Sequence, residues 1–400
     1  MSRKALFMLV SVVLVFTLVL SACGNNSNNE EASTGAAQNE PAEVPAASEE
    51  PAAEEPAASK EPSQSEAAEG ELRSTGPKGE KATAATELHL TDEEIAKVKE
   101  GKYTAAIVMH YGGNDWASLQ IQGLRDRFAE LGIEVVAETD AQFKAEKQAS
   151  DIETVLARNP DIIVSIPVDP VVTAPAFKKA AEQGVKLVFM DNVPNGLEAG
   201  KDYVSIVTGD NYGNGIESAE MMAEAMGGKG KVAMLYYDAN FFVSNQRDQG
   251  FEETMREKYP DIEIVAKEGF ADVNKATDVA DAILLKNPDL VGLYSSWDVP
   301  LEGIAAKTKG SNMVMTAPGM SSSAAMIMAQ GGSIKGISAQ FPYEHGIAEA
   351  TVAAYSLLGK TAPDFIVVPT AKVTKDNLLE YYERVYRKAP PQEMVDFINK

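Results

Sequence analysis

The run Asp161-Ile162-Ile163-Val164-Ser165-Ile166-Pro167 carries the clearest sign of the fold. Residues 162–166 have strand length and lack the polar alternation of a half-exposed strand, so a strand here is buried on both faces. Apolar residues at helical spacing precede it over residues 144–158 and follow it over residues 170–183. A doubly buried strand between two helices is typical of a parallel sheet covered by helices.

The same alternation of strand and helix occurs twice along the chain. Helical segments such as 244–258 and 273–286 separate the continuous apolar runs. These runs are residues 105–109, 133–137, 162–166, 185–190 and 204–207, then 232–236, 262–266, 290–294, 313–316 and 334–338. The sequence predicts an α/β protein with two Rossmann-like lobes, each with a parallel sheet and helices on both faces. Because such sheets bind ligands at the carboxyl ends of their strands, we expect a cleft between the lobes.

The N-terminus carries a basic and apolar leader before the only cysteine. Arg3 and Lys4 precede an apolar run at residues 5–19, shorter than the about 20 residues of a membrane span. Small residues then flank Cys23. The pattern predicts a signal peptide over residues 1–22, and its resemblance to lipoprotein signals implies that Cys23 is lipidated and anchors the chain to the membrane. An ordinary signal peptide and an uncleaved anchor helix are the alternatives.

An acidic segment rich in Ala, Glu and Pro follows Cys23. Residues 24–85 contain hardly any aromatic or β-branched residues, so they bury too little apolar surface to offset the entropy of ordering. The sequence predicts a disordered linker that, with a short lead-in helix, occupies residues 23–101; Thr91 and Glu94 fit a capping box for that helix. The net charge of −23 argues against nucleic acid or anionic lipid as a partner.

Aromatic and hydrogen-bonding residues gather in the loops after the predicted strands. Both tryptophans, Trp116 and Trp297, lie there, as do Asp191 and Arg247. Flat rings suit the apolar C–H faces of a sugar or polyol, and fixed polar side chains suit its hydroxyl groups. The alternative is structural, since a tryptophan after a strand often packs beneath a loop, and Asn, Asp and Gly often form turns.

Five segments, in their order and spacing, resemble one known family. They are residues 161–169 (DIIVSIPVD), 188–192 (VFMDN), 207–213 (VTGDNYG), 245–251 (NQRDQGF) and 287–289 (NPD). Through them, residues 103–372 resemble the ribose-binding type I family of substrate-binding proteins of ABC importers. The resemblance implies a Venus-flytrap fold with a hinge of three crossings near residues 209–211, 339–341 and 369–371. The implied lobes are residues 102–209 plus 341–369, and 210–340 plus 370–400.

The resemblance also implies roles for individual residues. Trp116 falls on the stacking aromatic residue, Asp191 on the acceptor for sugar hydroxyl groups, and Arg247 on the ligand-clamping arginine. Gln340 falls on a glutamine near the hinge. The full set of candidate ligand-binding residues is Asn114, Asp115, Trp116, Asp191, Asn192, Phe242, Arg247, Trp297, Asp298 and Gln340.

Three positions depart from the family pattern of sugar binders. Asp115 stands where a second aromatic residue is common, Asn192 stands where ribose binders have arginine, and residues 317–319 (APG) stand where an aspartate is common. A sugar alcohol or a modified sugar is therefore as consistent with the sequence as a plain pyranose or furanose.

The resemblance implies an extracytoplasmic, lipid-anchored, monomeric protein that delivers a sugar or polyol to ABC permease subunits. A receptor that reports to a chemoreceptor or sensor kinase would need the same cleft, so this alternative stays open, as does the identity of the sugar. With three histidines, one cysteine and no spacing typical of metal ligands, the sequence predicts no catalytic residue, metal or cofactor. A glycoside-acting enzyme that uses two cleft carboxylates is the least favoured alternative.

Overall fold

A computed structural model describes residues 71–400. The signal peptide, Cys23 and the linker as far as residue 70 lie outside the described residues. Thirteen strands occur within them: β1 (Thr83–Ala84), β2 (Thr104–Met109), β3 (Glu134–Asp140), β4 (Ile162–Ser165), β5 (Lys186–Met190), β6 (Ser205–Gly209), β7 (Gly230–Tyr237), β8 (Ile262–Phe270), β9 (Gly292–Ser295), β10 (Val314–Pro318), β11 (Ile334–Ala339), β12 (Phe365–Val368) and β13 (Ala371–Val373).

Twelve α-helices connect and flank these strands within residues 71–400. They are α1 (Asp92–Gly101), α2 (Asp115–Glu130), α3 (Ala145–Leu156), α4 (Ala174–Glu182), α5 (Asn211–Met226), α6 (Phe242–Lys258), α7 (Ala276–Lys286), α8 (Val299–Lys307), α9 (Ser322–Ala329), α10 (Pro342–Leu357), α11 (Leu378–Tyr386) and α12 (Gln392–Ile398). None of the helices in this described part is long and apolar enough to cross a bilayer.

The strands form two sheets, which define a first and a second lobe. The first sheet has the order β1-β12-β6-β5-β4-β2-β3, and the second has the order β13-β11-β10-β9-β7-β8. Neighbouring strands are parallel except for β11 and β13, which pair antiparallel. The predicted fold class, two α/β lobes with mostly parallel sheets, is therefore confirmed.

Helices cover both faces of each sheet, as the continuous apolar strands require. Ala105, Ile107 and Met109 of β2 pack with α2 and α10, whereas Ala106 and Val108 pack with α3 and α4 on the opposite face. In the second lobe, α5 and α6 cover one face of the sheet, and α7, α8 and α9 cover the other. Every residue of β2 from Ala105 onward is buried, which is why the run shows no polar alternation.

The chain passes between the lobes at three places. Asp210 joins β6 of the first lobe to α5 of the second, residues 340–341 join β11 to α10, and residues 369–370 join β12 to β13. Asp210 also caps α5, because its side chain accepts a hydrogen bond from the Gly213 N–H group.

The last part of the linker is ordered, contrary to the prediction of disorder through residue 85. We call residues 71–84 the hinge strap. The Asp210 carboxylate accepts hydrogen bonds from the Arg73 N–H group at 3.0 Å, the Ser74 N–H group at 2.8 Å and the Ser74 hydroxyl group at 2.7 Å. The prediction considered only apolar burial, whereas this segment is held by polar contacts to the hinge and by pairing of β1 with β12.

The hinge strap touches both lobes and leads into the predicted helix. The Lys78 ammonium donates to the Leu197 carbonyl in the first lobe at 2.9 Å, and Gln246 of α6 donates to the Thr75 carbonyl at 2.8 Å. The capping box of α1 is confirmed: its Thr91 side chain accepts from the Glu94 N–H group, and the Glu94 side chain accepts from the Thr91 N–H group. The helix continues to Gly101.

Glycines bring two pairs of helices into backbone contact. Gly123 of α2 and Gly346 of α10 each lie so close to a carbonyl oxygen of the other helix that an added Cβ atom would overlap it. Gly215 of α5 and Gly250 of α6 make the same kind of contact. The first helix pair carries Trp116, and the second carries Arg247.

We expect Gly346→Ala to lower the free energy of unfolding by about 1–3 kcal/mol, because the overlap with backbone forces the helices apart. Gly303→Ala is the matched control: at this exposed glycine of α8 the added Cβ atom would lie 2.8 Å from the Thr277 hydroxyl oxygen, a side-chain group that can rotate away, and would meet no backbone. The control should leave stability unchanged or raise it by up to about 1 kcal/mol, since alanine favours a helix. Urea denaturation measures both, and equal effects would contradict the role assigned to Gly346.

Candidate functional site

Side chains that follow the strands of the two sheets meet between the lobes. Trp116, at the start of α2 in the first lobe, donates a hydrogen bond from its indole nitrogen to the Gln340 side-chain oxygen at the second crossing, at 2.8 Å. Two histidine rings lie edge-on to this indole, His110 at 6.4 Å and His345 at 6.2 Å between centroids. The tryptophan is therefore held within a polar and aromatic group at the hinge end of the cleft.

Asp191 is buried at the end of β5 in a left-handed backbone conformation, with φ of 58°. Its carboxylate accepts a hydrogen bond from the Thr208 hydroxyl group at 2.6 Å. Burial raises the pKa of Asp191, and the Arg247 guanidinium opposes that rise. A non-glycine residue in this conformation is unusual, so the surrounding structure must hold the carboxylate in place.

A chain of hydrogen bonds joins Asp191 of the first lobe to Arg247 of the second. The Arg247 Nε group donates to the Asn211 side-chain oxygen at 2.7 Å, and the Asn211 amide donates to the Thr208 hydroxyl oxygen at 2.7 Å. Thr208 donates in turn to Asp191. We call these four residues the hinge relay, because the chain crosses between the lobes at Asp210, between Thr208 and Asn211.

Arg247 is buried, and burial lowers its pKa while Asp191 and other acidic groups oppose the change. One of these groups is Asp298, after β9, which accepts a hydrogen bond from the Ser321 N–H group at 2.6 Å. Burial raises the pKa of Asp298 to about 6. Asp298 lies beside residues 317–319, the segment where the family often has an aspartate. A Cβ atom built on Gly319, where φ is 92°, would lie 2.8 Å from Asp298 Oδ1.

Four of the ten candidates have contacts within the protein that account for their positions. Asn114 caps α2 by accepting from the Ala117 N–H group at 2.9 Å, and the Asn192 amide donates to the Pro167 carbonyl at 3.1 Å. Trp297 packs edge-on against two aromatic rings of the second lobe. Phe242 starts α6 and packs against apolar residues of the first lobe. These contacts agree with the structural alternative, in which such residues pack beneath loops or form turns instead of binding a ligand.

Asp115 connects the lobes through hydrogen bonds. Its carboxylate accepts from the Ser322 hydroxyl group at 2.8 Å and from the Tyr386 hydroxyl group at 2.8 Å, both in the second lobe. Through these bonds the start of α2 in the first lobe contacts α9 and α11 of the second lobe.

Several polar residues at the hinge were not selected from the sequence. Thr208 and Asn211 complete the hinge relay, and His345 lies beside Trp116. Thr208 and Asn211 belong to the segment 207–213 that carries the family resemblance, so the signal was present, but their link to Arg247 depends on the packing of α5 against α6. His345 had no sequence signal beyond its place at a helix start.

The arrangement suits a neutral ligand rich in hydroxyl groups. It offers a buried carboxylate, a guanidinium, amides and aromatic rings, which together supply both donors and acceptors. Among residues 71–400 no group of three or more His, Cys, Asp or Glu residues is arranged to hold a metal ion.

Comparisons with known proteins agree with this geometry. Residues 105–361 match the model of the periplasmic binding protein domain family. The ABC transporter periplasmic-binding protein YphF of Escherichia coli is 27% identical over 175 residues, which cover 42% of this chain and 53% of that protein. The D-apiose import binding protein of Actinobacillus succinogenes is 28% identical over 213 residues, which cover 51% of this chain and 64% of that protein. The chain thus spans between half and two thirds of these curated relatives.

A solved structure extends the likeness over the whole of a relative. The ABC transporter solute-binding protein of Agrobacterium vitis, bound with alpha-D-tagatopyranose, is 25% identical to this chain with a TM-score of 0.66. The alignment covers 72% of this chain and 100% of that chain.

We expect Asn211→Ala to lower the free energy of unfolding by about 1–3 kcal/mol, because it leaves the buried Arg247 Nε group without a partner. Arg247→Leu and the double variant complete a double-mutant cycle, which should give a coupling energy above about 0.5 kcal/mol. Asn399→Ala, at an exposed position near the C-terminus, is the control and should change little. Additive effects of Asn211→Ala and Arg247→Leu in urea denaturation would contradict the hinge relay.

Proposed function

Because the chain belongs to the periplasmic binding protein domain family, we propose that it captures a sugar or sugar-like polyol between its lobes and delivers it to the permease of an ABC importer. The single observation that carries this proposal is the buried pair of opposite charges, Asp191 and Arg247, one from each lobe, linked through the hinge. Bonds from these groups to hydroxyl groups are charge-assisted and therefore strong.

The relatives support the sugar class. One is a D-apiose import binding protein, and the Agrobacterium vitis protein was solved with alpha-D-tagatopyranose bound. Neither compound is assigned to this chain, because Asp115, Asn192 and residues 317–319 depart from the pattern of sugar binders. The candidates Trp116, Asp191 and Arg247 form the core of the proposed site, with Asp298 and Gln340 at its edge.

Closure of the lobes provides the proposed mechanism. A ligand that touches Asp191 in the first lobe and Arg247 in the second makes its full set of contacts only in the closed form. That difference in affinity shifts the balance between open and closed forms. Asp115 of the first lobe contacts Ser322 and Tyr386 of the second. In the proposed mechanism, the closed form presents a joint surface of both lobes to the permease.

We expect one compound class from a panel to raise the melting temperature of the full chain. The panel is D-apiose, D-tagatose, D-allose, D-arabinose, allitol and myo-inositol, tested after denaturation and refolding have removed any bound ligand. A ligand at a hundred times its dissociation constant adds about 2.7 kcal/mol of stability. Recovery of the compound unchanged would separate binding from turnover by a glycoside-acting enzyme.

A matched pair of arginine variants controls the melting experiment. Arg247→Leu should lose the shift, whereas Arg256→Leu, at an exposed position on the same helix α6, should keep it. No shift with any compound would reject the sugar class, and an equal shift in both variants would reject the site.

We also propose that the mature chain is a monomer outside the cytoplasm, held to the cell membrane by a lipid on Cys23. Cells that express the wild-type chain should incorporate labelled fatty acid into it, whereas Cys23→Ser should remove the label. Ser27→Ala is the control, because a serine outside the signal carries no lipid in this scheme. Labelling of the Cys23→Ser variant would contradict the proposal.

A further inference from the structure

The hinge strap is fixed to the first lobe at several points. Its strand β1 pairs with β12, and Leu72 and Ala82 pack against buried apolar residues of the same lobe. The Lys78 ammonium donates to the Leu197 carbonyl at 2.9 Å. Leu197 is buried and lies in the connection between β5 and β6, which begins with Asp191. The strap therefore holds the segment that presents the carboxylate of the proposed site.

Other residues of the hinge strap contact the second lobe. The Thr75 carbonyl accepts from the Gln246 side-chain amide at 2.8 Å. The Ser74 hydroxyl oxygen accepts from the Tyr212 N–H group, in the first turn of α5, at 3.0 Å. Gln246 directly precedes Arg247 on α6. The strap therefore joins the part of α6 that presents the guanidinium to the first-lobe segment that presents the carboxylate.

The hinge strap has a defined shape between these contacts. Thr75 and Lys81 pair as an antiparallel bridge, and the Gly76 N–H group donates to the Glu80 carbonyl at 2.8 Å. Gly79, with φ of 86°, allows the tight turn, and its N–H group donates to the Gly76 carbonyl at 2.9 Å. Because the turn is closed by its own hydrogen bonds, the contacts with the two lobes are kept at a fixed separation.

The hinge strap also supplies most of the hydrogen bonds of Asp210, the first crossing between the lobes. Among the described residues, this carboxylate accepts three hydrogen bonds from Arg73 and Ser74 and one from the Gly213 N–H group. Asp210 is buried, and a buried carboxylate is costly unless hydrogen bonds replace its contacts with water. The strap thus stabilises the crossing on which the hinge relay lies.

We propose that the hinge strap is a second link between Asp191 and Arg247, beside the hinge relay, and that Ser74 is a positioning residue of the ligand site. The strap favours the arrangement of the lobes in which one ligand reaches both charged groups. A larger share of the chains is then ready to bind, which raises the apparent affinity. The inference rests on the proposed function and deepens it, because it adds a segment outside residues 105–361, the family domain, to the parts that control binding.

The first test measures the distance between the lobes in the absence of ligand. Spin labels on Ser118→Cys of α2 and Ser323→Cys of α9 report this distance, since both positions are exposed and their helices meet where Asp115 contacts Ser322. The full chain carries Cys23→Ser, so that the two labelled cysteines are the only ones present.

Two variants weaken the hinge strap by different means. Ser74→Ala removes the hydroxyl group that binds Asp210, whereas Gln246→Leu removes the donor on α6 and leaves the crossing unchanged. Each should move part of the distance distribution to longer separations. Gln249→Leu is the matched control on the same helix, because its amide donates to Glu253 of α6 and not to the strap. Wild-type distributions in both variants would overturn the proposal, whatever ligand the chain binds.

The second test is calorimetry with the panel compound that gives the largest shift in the wild-type chain. Ser74→Ala and Gln246→Leu should each weaken binding by about two- to tenfold, the equivalent of one lost hydrogen bond. Gln249→Leu should keep the wild-type affinity. Unchanged affinity in both strap variants would overturn the positioning role of Ser74 while leaving the proposed function intact. No response of the wild-type chain to any compound would reject the sugar class, whereas longer distances in the variants would still support the link between the lobes.

Discussion

The site depends on backbone contact between helices at four glycines. Gly123 with Gly346 joins α2 to α10, and Gly215 with Gly250 joins α5 to α6. The first pair of helices carries Trp116 and His345, and the second carries Asn211 and Arg247. Larger side chains at the glycines would separate the helices and with them the polar groups that must reach a common ligand. Close packing of backbone is therefore what makes the hydrogen bonds at the hinge possible.

The sequence was sufficient for the architecture because the decisive signal is local. An unbroken apolar run such as residues 162–166 indicates a strand that is buried on both faces, and the helices on either side of it indicate a parallel sheet. The candidates Asp191 and Arg247 were identified because they follow strands and match a family pattern. Asn211 gains its meaning from its contact with Arg247 on the neighbouring helix, and His345 from its contact with Trp116. Residues 71–84 gain theirs from polar contacts with the hinge, which composition does not reveal.

The hinge relay joins Asp191 of the first lobe and Arg247 of the second in one hydrogen-bond network made by the protein alone. Asp191 and Arg247 are both buried, and isolated charges in such a place are costly. Thr208 and Asn211 reduce that cost, and they do so at the crossing about which the lobes would move. Ligand binding and movement of the lobes therefore depend on the same residues. A substitution that weakens ligand binding at these positions is expected to affect lobe movement as well.

The hinge strap has a consequence for the edge of the first sheet. Thr83 and Ala84 of β1 pair with Ile366 and Val367 of β12, whose residues are all buried. Without β1, an apolar strand would present free N–H and C=O groups, and such edges recruit strands from other molecules. The two-residue strand β1 pairs with that edge and leaves in its place only a very short strand, which offers other molecules little backbone to pair with.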